Sequence, residues 1–296
     1  MLKPYGIIPA LVTPMTEAGE VNETALRGLV RRMLDHGVHG LFCLGTNGEF
    51  FALDEQEKLT VAEIIVEEAA GAVPVYAGSG GIGTRETIAL TRKLEKVGVD
   101  AVSVITPYFL KFSQRELAAH YRELAAASRL PIVLYNIPGL TGNALLPATV
   151  GELAKIDSIA GIKDSSGSFD NMLQYLDATD DDFAVLAGTD SLILSVLLAG
   201  GQGAIAATAN VFPGAVVGIY ERWRSGDIAG AESEQRKLRG LREAFGLGTL
   251  PSVLKEALEM AGVPAGAPRK PVQPLQGEAR QRLRAVMEAY RDRGEL

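Results

Sequence analysis

Three short stretches of this chain carry residue types that can do covalent chemistry on a carbonyl compound. In "IAGIKDSSG" (residues 159–167) a lysine, Lys163, stands on an alternating apolar run where a charged amine is out of place. In "YNIPG" (residues 135–139) Tyr135 closes a second such run, and "GTNGEF" (residues 45–50) is a glycine-bracketed turn carrying the hydroxyl of Thr46. A free lysine has a pKa of about 10.4, and desolvation lowers it by up to roughly 3 to 5 units. A fall to about 8 raises the neutral fraction at pH 7 roughly two hundred-fold, which is what imine formation with a carbonyl requires. A neighbouring phenol can pass protons to and from the carbinolamine. Backbone N–H groups of the "GTNG" turn, read as a helix N-terminus, can hold a carboxylate. Taken together, the parts describe a 2-keto acid bound as an imine. Each alone has an ordinary explanation: a lone lysine at a strand end snorkels to solvent, "YNIPG" is a strand-end turn, and Glu49 bonds backbone amides. Their joint placement is what points to chemistry.

The elements that position them follow from hydrophobic period. Eight β-branched runs recur ("GIIPALVTP", "HGLFCLG", "VPVYAGS", "AVSVITP", "PIVLYNIP", "IAGIKDS", "FAVLAGTD", "GAIAAT"). Segments of helical period, such as "NETALRGLVRRMLDHG" and "SQRELAAHYRELAAAS", separate them. Asn22, Asp54, Thr84 and Ser113 are read as helix caps. Strands apolar enough to be covered on both faces, each followed by a helix, predict a closed (β/α)₈ TIM barrel. Chemistry then belongs at the C-terminal strand ends, where "GTNGEF", "YNIPG", Lys163 and "GTD" (Gly188 to Asp190) all fall. Alternation puts Tyr135 on the face of Val133 and Ile137, and Lys163 on that of Ile159 and Gly161. Were the two strands neighbours, about 5 Å apart, phenol and amine would meet inside the rim, with Gly161 leaving room for the lysine. Past residue 225 the pattern is purely helical, so residues 1–225 read as the barrel and 226–296 as a C-terminal helical extension packed on it. The proline-rich "VPAGAPRKPVQPLQG" connects its last two helices.

Composition narrows the function. The 296 residues, 47% hydrophobic and 22% charged, suit a soluble α/β protein, and a net charge of −7 argues against nucleic acid or an anionic membrane as partner. Cys43 is the single cysteine and reads as a small core residue of a cytoplasmic protein, and no apolar window is long enough to span a bilayer. His36, His39 and His120 lack metal-ligand spacing. "GSGGIG" (residues 78–83) fits the dinucleotide fingerprint G-x-G-x-x-G, but the next strand, "AVSVITP", ends without the acid such a site needs.

In order and spacing, from "GIIPALVTP" through "PRKPVQPL", the chain resembles the dihydrodipicolinate synthase and N-acetylneuraminate lyase family of pyruvate-dependent class I aldolases. The motifs "GTNGE", "ITPY", "YNIPG", "GIKDSSG" and "GAIAATAN" stand in the family's places. The resemblance implies a TIM barrel with three trailing helices, often a homotetramer of two tight dimers, with Lys163 as the Schiff-base lysine and Tyr135 as the proton-transfer phenol. It also implies Thr46 and Asn47 at the pyruvate carboxylate, Gly188 and Ile205 beside the imine, and no metal or organic cofactor. Three positions depart from the family pattern. Leu140 stands where dihydrodipicolinate synthases carry an arginine that grips the second substrate's carboxylate. Phe109 replaces a relay tyrosine lent across the dimer interface, with Tyr108 beside it, and Asn47 replaces a threonine or serine. Leu140 looks more like the lyases that act on 2-keto-3-deoxy sugar acids, whose hydroxyls Ser165, Asp190 and Ser191 could meet. The expected function is therefore an imine-forming aldolase, or a dehydratase using the same imine, acting on pyruvate or such a sugar acid. The alternatives are a 4-hydroxy-tetrahydrodipicolinate synthase of lysine biosynthesis and a non-catalytic keto-acid-binding paralogue.

Overall fold

In the computed structural model, which describes residues 2–296, the alternating sequence pattern becomes a ring of eight parallel strands. They are β1 (Gly6–Pro9), β2 (Leu41–Cys43), β3 (Val75–Gly78), β4 (Ala101–Ile105), β5 (Ile132–Asn136), β6 (Ile159–Asp164), β7 (Ala184–Ala187) and β8 (Gly203–Ala206). Their order is β1-β8-β7-β6-β5-β4-β3-β2, and a parallel bridge between Ala10 and Phe42 closes the ring between β1 and β2. The expected (β/α)₈ barrel is thus present. Almost every strand residue is buried, as both faces of a parallel barrel require.

Two apolar layers result. Ile8, Phe42, Tyr76, Val133, Leu186 and Ile205 fill the inside of the ring. The larger layer lies between the strands and the helices α1 (Glu23–Asp35), α2 (Glu55–Ala69), α3 (Thr84–Val97), α4 (Gln114–Ala127), α5 (Pro138–Thr141), α6 (Pro147–Leu153), α7 (Phe169–Ala178), α8 (Ile193–Leu198) and α9 (Pro213–Arg224). Asn22, Asp54 and Ser113 cap α1, α2 and α4 as their residue types predict, the last two in reciprocal capping boxes. Thr84 does not cap α3. Gly83 holds the cap position, and the Thr84 hydroxyl lies 2.9 Å from Nδ1 of His120 on α4.

Gly161 also has a different task from the one its sequence position suggested. A Cβ there would come within 2.5 Å of the Ala184 carbonyl oxygen and 2.9 Å of its Cβ, so this glycine lets β7 approach β6 instead of making room for the lysine. Glycines of "GSGGIG" have the same kind of role: a Cβ on Gly78 would meet the Leu44 carbonyl oxygen at 2.0 Å, and one on Gly80 would meet Ile105 at 2.7 Å. They let neighbouring βα turns touch.

Beyond the barrel lie α10 (Ile228–Lys237), α11 (Arg239–Ala244), α12 (Ser252–Met260) and α13 (Gly277–Asp292). The first of the three expected segments is broken in two at Leu238. Its cause is an inserted side chain: the Tyr290 hydroxyl donates to the Lys237 carbonyl at 2.5 Å and accepts from the Leu241 N–H at 3.0 Å. Those two groups would otherwise bond each other in the i→i−4 ladder. No helix among the described residues is long and apolar enough to cross a membrane. Cys43 is buried, and burial pushes its thiol up to about 12.

His120 gives the fold a pH dependence. It is buried between α3 and α4 with no partner for Nε2 among the described residues, and desolvation lowers its pKa from 6.5 to about 4. Between those values the unfolded chain binds the proton that the folded chain refuses, so stability falls as pH falls from 6.5 towards 4, by about 3 kcal/mol from this group. In urea titrations across that range, His120→Gln is expected to show a shallower loss of stability than the wild-type chain.

Candidate active site

The site grows out of the register between β5 and β6. Tyr135 pairs with Lys163, and Asn136 with Asp164, so the phenol and the amine enter the ring together while the next pair points out towards the helices. Lys163 is 4% exposed, and its Nζ lies 4.1 Å from the centre of the Tyr135 ring and 5.0 Å from that of Phe42. Two aromatic faces thereby hold an amine that has no carboxylate partner among the described residues.

The outward pair locks this register. Asn136 Nδ2 donates to Asp164 Oδ1 at 2.7 Å and to the Tyr175 hydroxyl at 3.2 Å, and its Oδ1 accepts from Leu145 N–H at 3.0 Å. Asp164 is fully buried and also accepts from the Ser166 hydroxyl at 2.7 Å. Burial pushes the Tyr175 phenol pKa up, and Tyr175 donates to the Leu145 carbonyl at 2.6 Å. These carriers of "YN" and "KD" were not singled out from the sequence. Their signal was available, because a polar residue directly after each inward functional group must face the helices.

At the rim, Thr46 Oγ1 is 3.3 Å from the Tyr135 hydroxyl. The turn that carries it leads into a single 3₁₀ turn, Phe50–Ala52, and α2 starts only at Glu55, so no α-helix N-terminus stands at "GTNG". What the turn offers is its own backbone: the N–H groups of Thr46, Asn47 and Gly48 have no acceptor among the described residues. Successive amides left free in a turn can hold an anion. Asn47 is buried, with Oδ1 unpartnered. Leu44 (φ 57°) and Glu49 (φ 58°) flank the turn in the left-handed region, which is costly for residues with a Cβ.

The remaining candidates divide into those near the mouth and those committed elsewhere. Ile205 is buried in the ring interior. Gly188 and Ser165 touch across β6 and β7, since a Cβ on Gly188 would fall 2.2 Å from Ser165 Oγ. Asp190 is buried, and its oxygens accept from Ala207 N–H at 3.2 Å and Thr208 N–H at 2.6 Å, so it braces the turn after β8. Ser191 is exposed and sits 3.5 Å from Arg242 Nε on α11. Phe109 is 87% exposed with φ 80°, and Tyr108 is half-buried against Phe50.

One strong feature was missed at the sequence level. Glu49 is fully buried, and its Oε1 lies 2.5 Å from Nζ of Lys255 on α12, itself 1% exposed. Its Oε2 accepts from the Arg269 backbone N–H at 2.7 Å, so the expected amide-bonding role of Glu49 is present alongside an unforeseen ion pair. Burial lowers the Lys255 pKa, and Glu49 works against that. The available signal was a lysine on the apolar stripe of "SVLKEALEM", adjacent to Leu254 and one turn before Leu258.

This geometry stands beside close similarities to known proteins. Residues 3–290 match the model of the dihydrodipicolinate synthetase family. The chain is 41% identical over 281 residues to the 4-hydroxy-tetrahydrodipicolinate synthase of Methanopyrus kandleri, covering 94% of each. Among solved structures it resembles YagE, a prophage protein of the dihydrodipicolinic acid synthase family from E. coli K12 in complex with pyruvate, at 34% identity and TM-score 0.93, over 97% of this chain and 98% of that one. It resembles equally the 4-hydroxy-tetrahydrodipicolinate synthase of Methylacidiphilum fumariolicum SolV, at 30% identity and TM-score 0.95, over 98% and 97%. Matched from β1 into α13, this chain belongs to the dihydrodipicolinate synthetase family of pyruvate-dependent class I aldolases.

Proposed function

We propose that the mouth of this barrel binds a 2-keto acid such as pyruvate as an imine on Lys163 and makes or breaks a carbon–carbon bond at the adjacent carbon. The observation that carries this reading is the buried Lys163 amine held 4.1 Å from the Tyr135 ring, whose hydroxyl reaches Thr46 at the rim. As the free base, Nζ adds to the C2 carbonyl, and the Tyr135 hydroxyl protonates the carbinolamine oxygen so that water leaves. The Tyr135 phenolate left by that step takes a C3 proton from the imine to give an enamine, whose C3 adds to the aldehyde carbon as Tyr135 returns the proton to the aldehyde oxygen. Hydrolysis then frees Nζ, and cleavage is the same sequence reversed. The cationic imine is itself the electron sink, so the reading invokes neither a metal nor an organic cofactor. The free amides of Thr46, Asn47 and Gly48 hold the carboxylate. Gly188, Ser165 and Ile205 border the bound keto acid.

Leu140 supports the choice of aldehyde. It is 63% exposed on α5 and offers no bidentate clamp for a second carboxylate, which favours a hydroxylated aldehyde and hence a 2-keto-3-deoxy sugar acid. Activity as a 4-hydroxy-tetrahydrodipicolinate synthase is the second reading, favoured by the name of the relative at 41% identity. Phe51, Ile82, Phe109 and Leu110 are each 44% or more exposed, and we propose that a second copy of the chain covers them in a dimer-based homotetramer. The lone buried Cys43 suits a cytoplasmic location.

Borohydride reduction with pyruvate, followed by peptide mapping, is expected to leave the adduct on Lys163; a folded protein without label there overturns the mechanism. Tyr135→Phe should slow trapping by roughly 10² to 10⁴. In a panel of aldehydes, faster pyruvate consumption with glyceraldehyde than with aspartate semialdehyde supports the sugar-acid reading, and the reverse supports the synthase. Trapping without turnover on either class indicates a binding paralogue. In sedimentation velocity, Phe109→Ser combined with Leu110→Ser is expected to shift the chain to smaller species at micromolar concentration.

A further inference from the structure

The turn from Gly45 to Phe50 does little to hold its own shape. Within it, Glu49 N–H bonds the Thr46 carbonyl at 3.2 Å and Phe50 N–H reaches the Gly45 carbonyl only at 3.4 Å, while left-handed backbone at Leu44 and Glu49 works against it. The hold comes from outside. The Thr13 hydroxyl donates to the Gly48 carbonyl at 2.7 Å, and both oxygens of the Glu49 carboxylate are engaged by the C-terminal extension, one by Lys255 Nζ and one by Arg269 N–H. That anchor is itself fixed. Lys255 Nζ also donates to the Ala267 carbonyl at 3.2 Å, and the Arg269 guanidinium clasps Glu57 of α2 at 2.6 and 2.7 Å, the Gly19 carbonyl at 2.6 Å and the Ala52 carbonyl at 3.0 Å.

We propose that Lys255 and Glu49 are positioning residues of the active site: through their buried ion pair, α12 sets the orientation of the turn whose free amides and Thr46 hydroxyl receive the substrate carboxylate and hold the Tyr135 phenol. This rests on the turn being the carboxylate seat of the imine site proposed above. Glu49 reaches the reacting groups in two steps, since its N–H bonds the Thr46 carbonyl and the Thr46 hydroxyl meets Tyr135. The ion pair has a second consequence: Lys255 neutralises a buried carboxylate three residues from Thr46, which would otherwise repel an incoming anion. A misplacement of about 1 Å at such a seat is enough to cost roughly 10²-fold in productive binding.

The test uses the full-length chain and measures how the rate of borohydride trapping on Lys163 depends on pyruvate concentration, in wild type, Glu49→Gln, Lys255→Met and the double variant. Each single variant leaves an unpaired buried group and loses stability towards urea, whereas the double variant, with neither charge, regains most of it. If the pair positions the turn, the half-saturating pyruvate concentration stays raised by roughly 10-fold or more in the double variant, while the trapping rate at saturation falls less. Recovery of both stability and half-saturation in the double variant assigns the pair to folding alone and overturns the proposal. A wild-type measurement stands independently of whether variants fold. Pyruvate is expected to slow deuterium exchange both in residues 45–50 and in residues 252–270, and protection confined to the rim overturns the inference. Failure of the wild-type chain to trap pyruvate at all would instead refute the imine reading.

Discussion

An amine on the inner wall of a closed barrel has no bulk water around it and, at Lys163, no carboxylate to pin it. What holds it is the pair of aromatic rings of Phe42 and Tyr135, and every other part of the site serves that arrangement. Phe42 belongs to β2 and also makes the bridge to Ala10 that closes the ring, so closure of the barrel and placement of the amine share a residue. The π faces attract a cation, the ammonium or later the cationic imine, without placing a full countercharge beside the reacting carbon as a buried carboxylate would. The site therefore keeps the lysine out of bulk water and beside the Tyr135 phenol, which suits a group that must condense with a carbonyl and then become part of a cationic imine.

Register is the constraint that makes this pairing single-valued. A slip of one residue between β5 and β6 would turn Lys163 towards the helices and bring Asp164 inside. The Asn136, Asp164, Tyr175 and Leu145 network opposes that slip, because it would leave a buried carboxylate and a buried phenol unpaired. The polar groups outside the ring thus define the polar groups inside it. On the opposite side of the mouth, the turn carrying Thr46, flanked by left-handed backbone at Leu44 and Glu49, is tied to α12 by a buried ion pair, so the C-terminal extension reaches the rim chemically as well as by packing.

Much of this was legible in the chain itself. Alternation within "PIVLYNIP" and "IAGIKDS" places Tyr135 and Lys163 on inward faces, and the repeated strand-helix period yields the barrel. Legibility failed where one contact decided the matter. Thr84 is a good capping residue by type, yet Gly83 takes the cap and the threonine hydroxyl meets His120 instead. Nothing in the local pattern around Asp190 indicates the two backbone amides after β8 that engage it. "DIAGAESEQRKLRGLREAFG" reads as one helix, and the Tyr290 hydroxyl from α13 splits it.

Residue type and spacing alone settle the alternation of strands and helices, most caps, the parity that sends Lys163 and Tyr135 inward, and the membership of three motifs in one rim. These follow from backbone sterics and side-chain period, which act over a few neighbouring residues. It takes the folded chain to show that Gly161 makes way for Ala184, that the "GTNG" amides stand free without a helix behind them, and that Lys255 anchors Glu49. Those outcomes depend on which distant segments come into contact once the ring closes, and no local pattern encodes the identity of a partner so far along the chain.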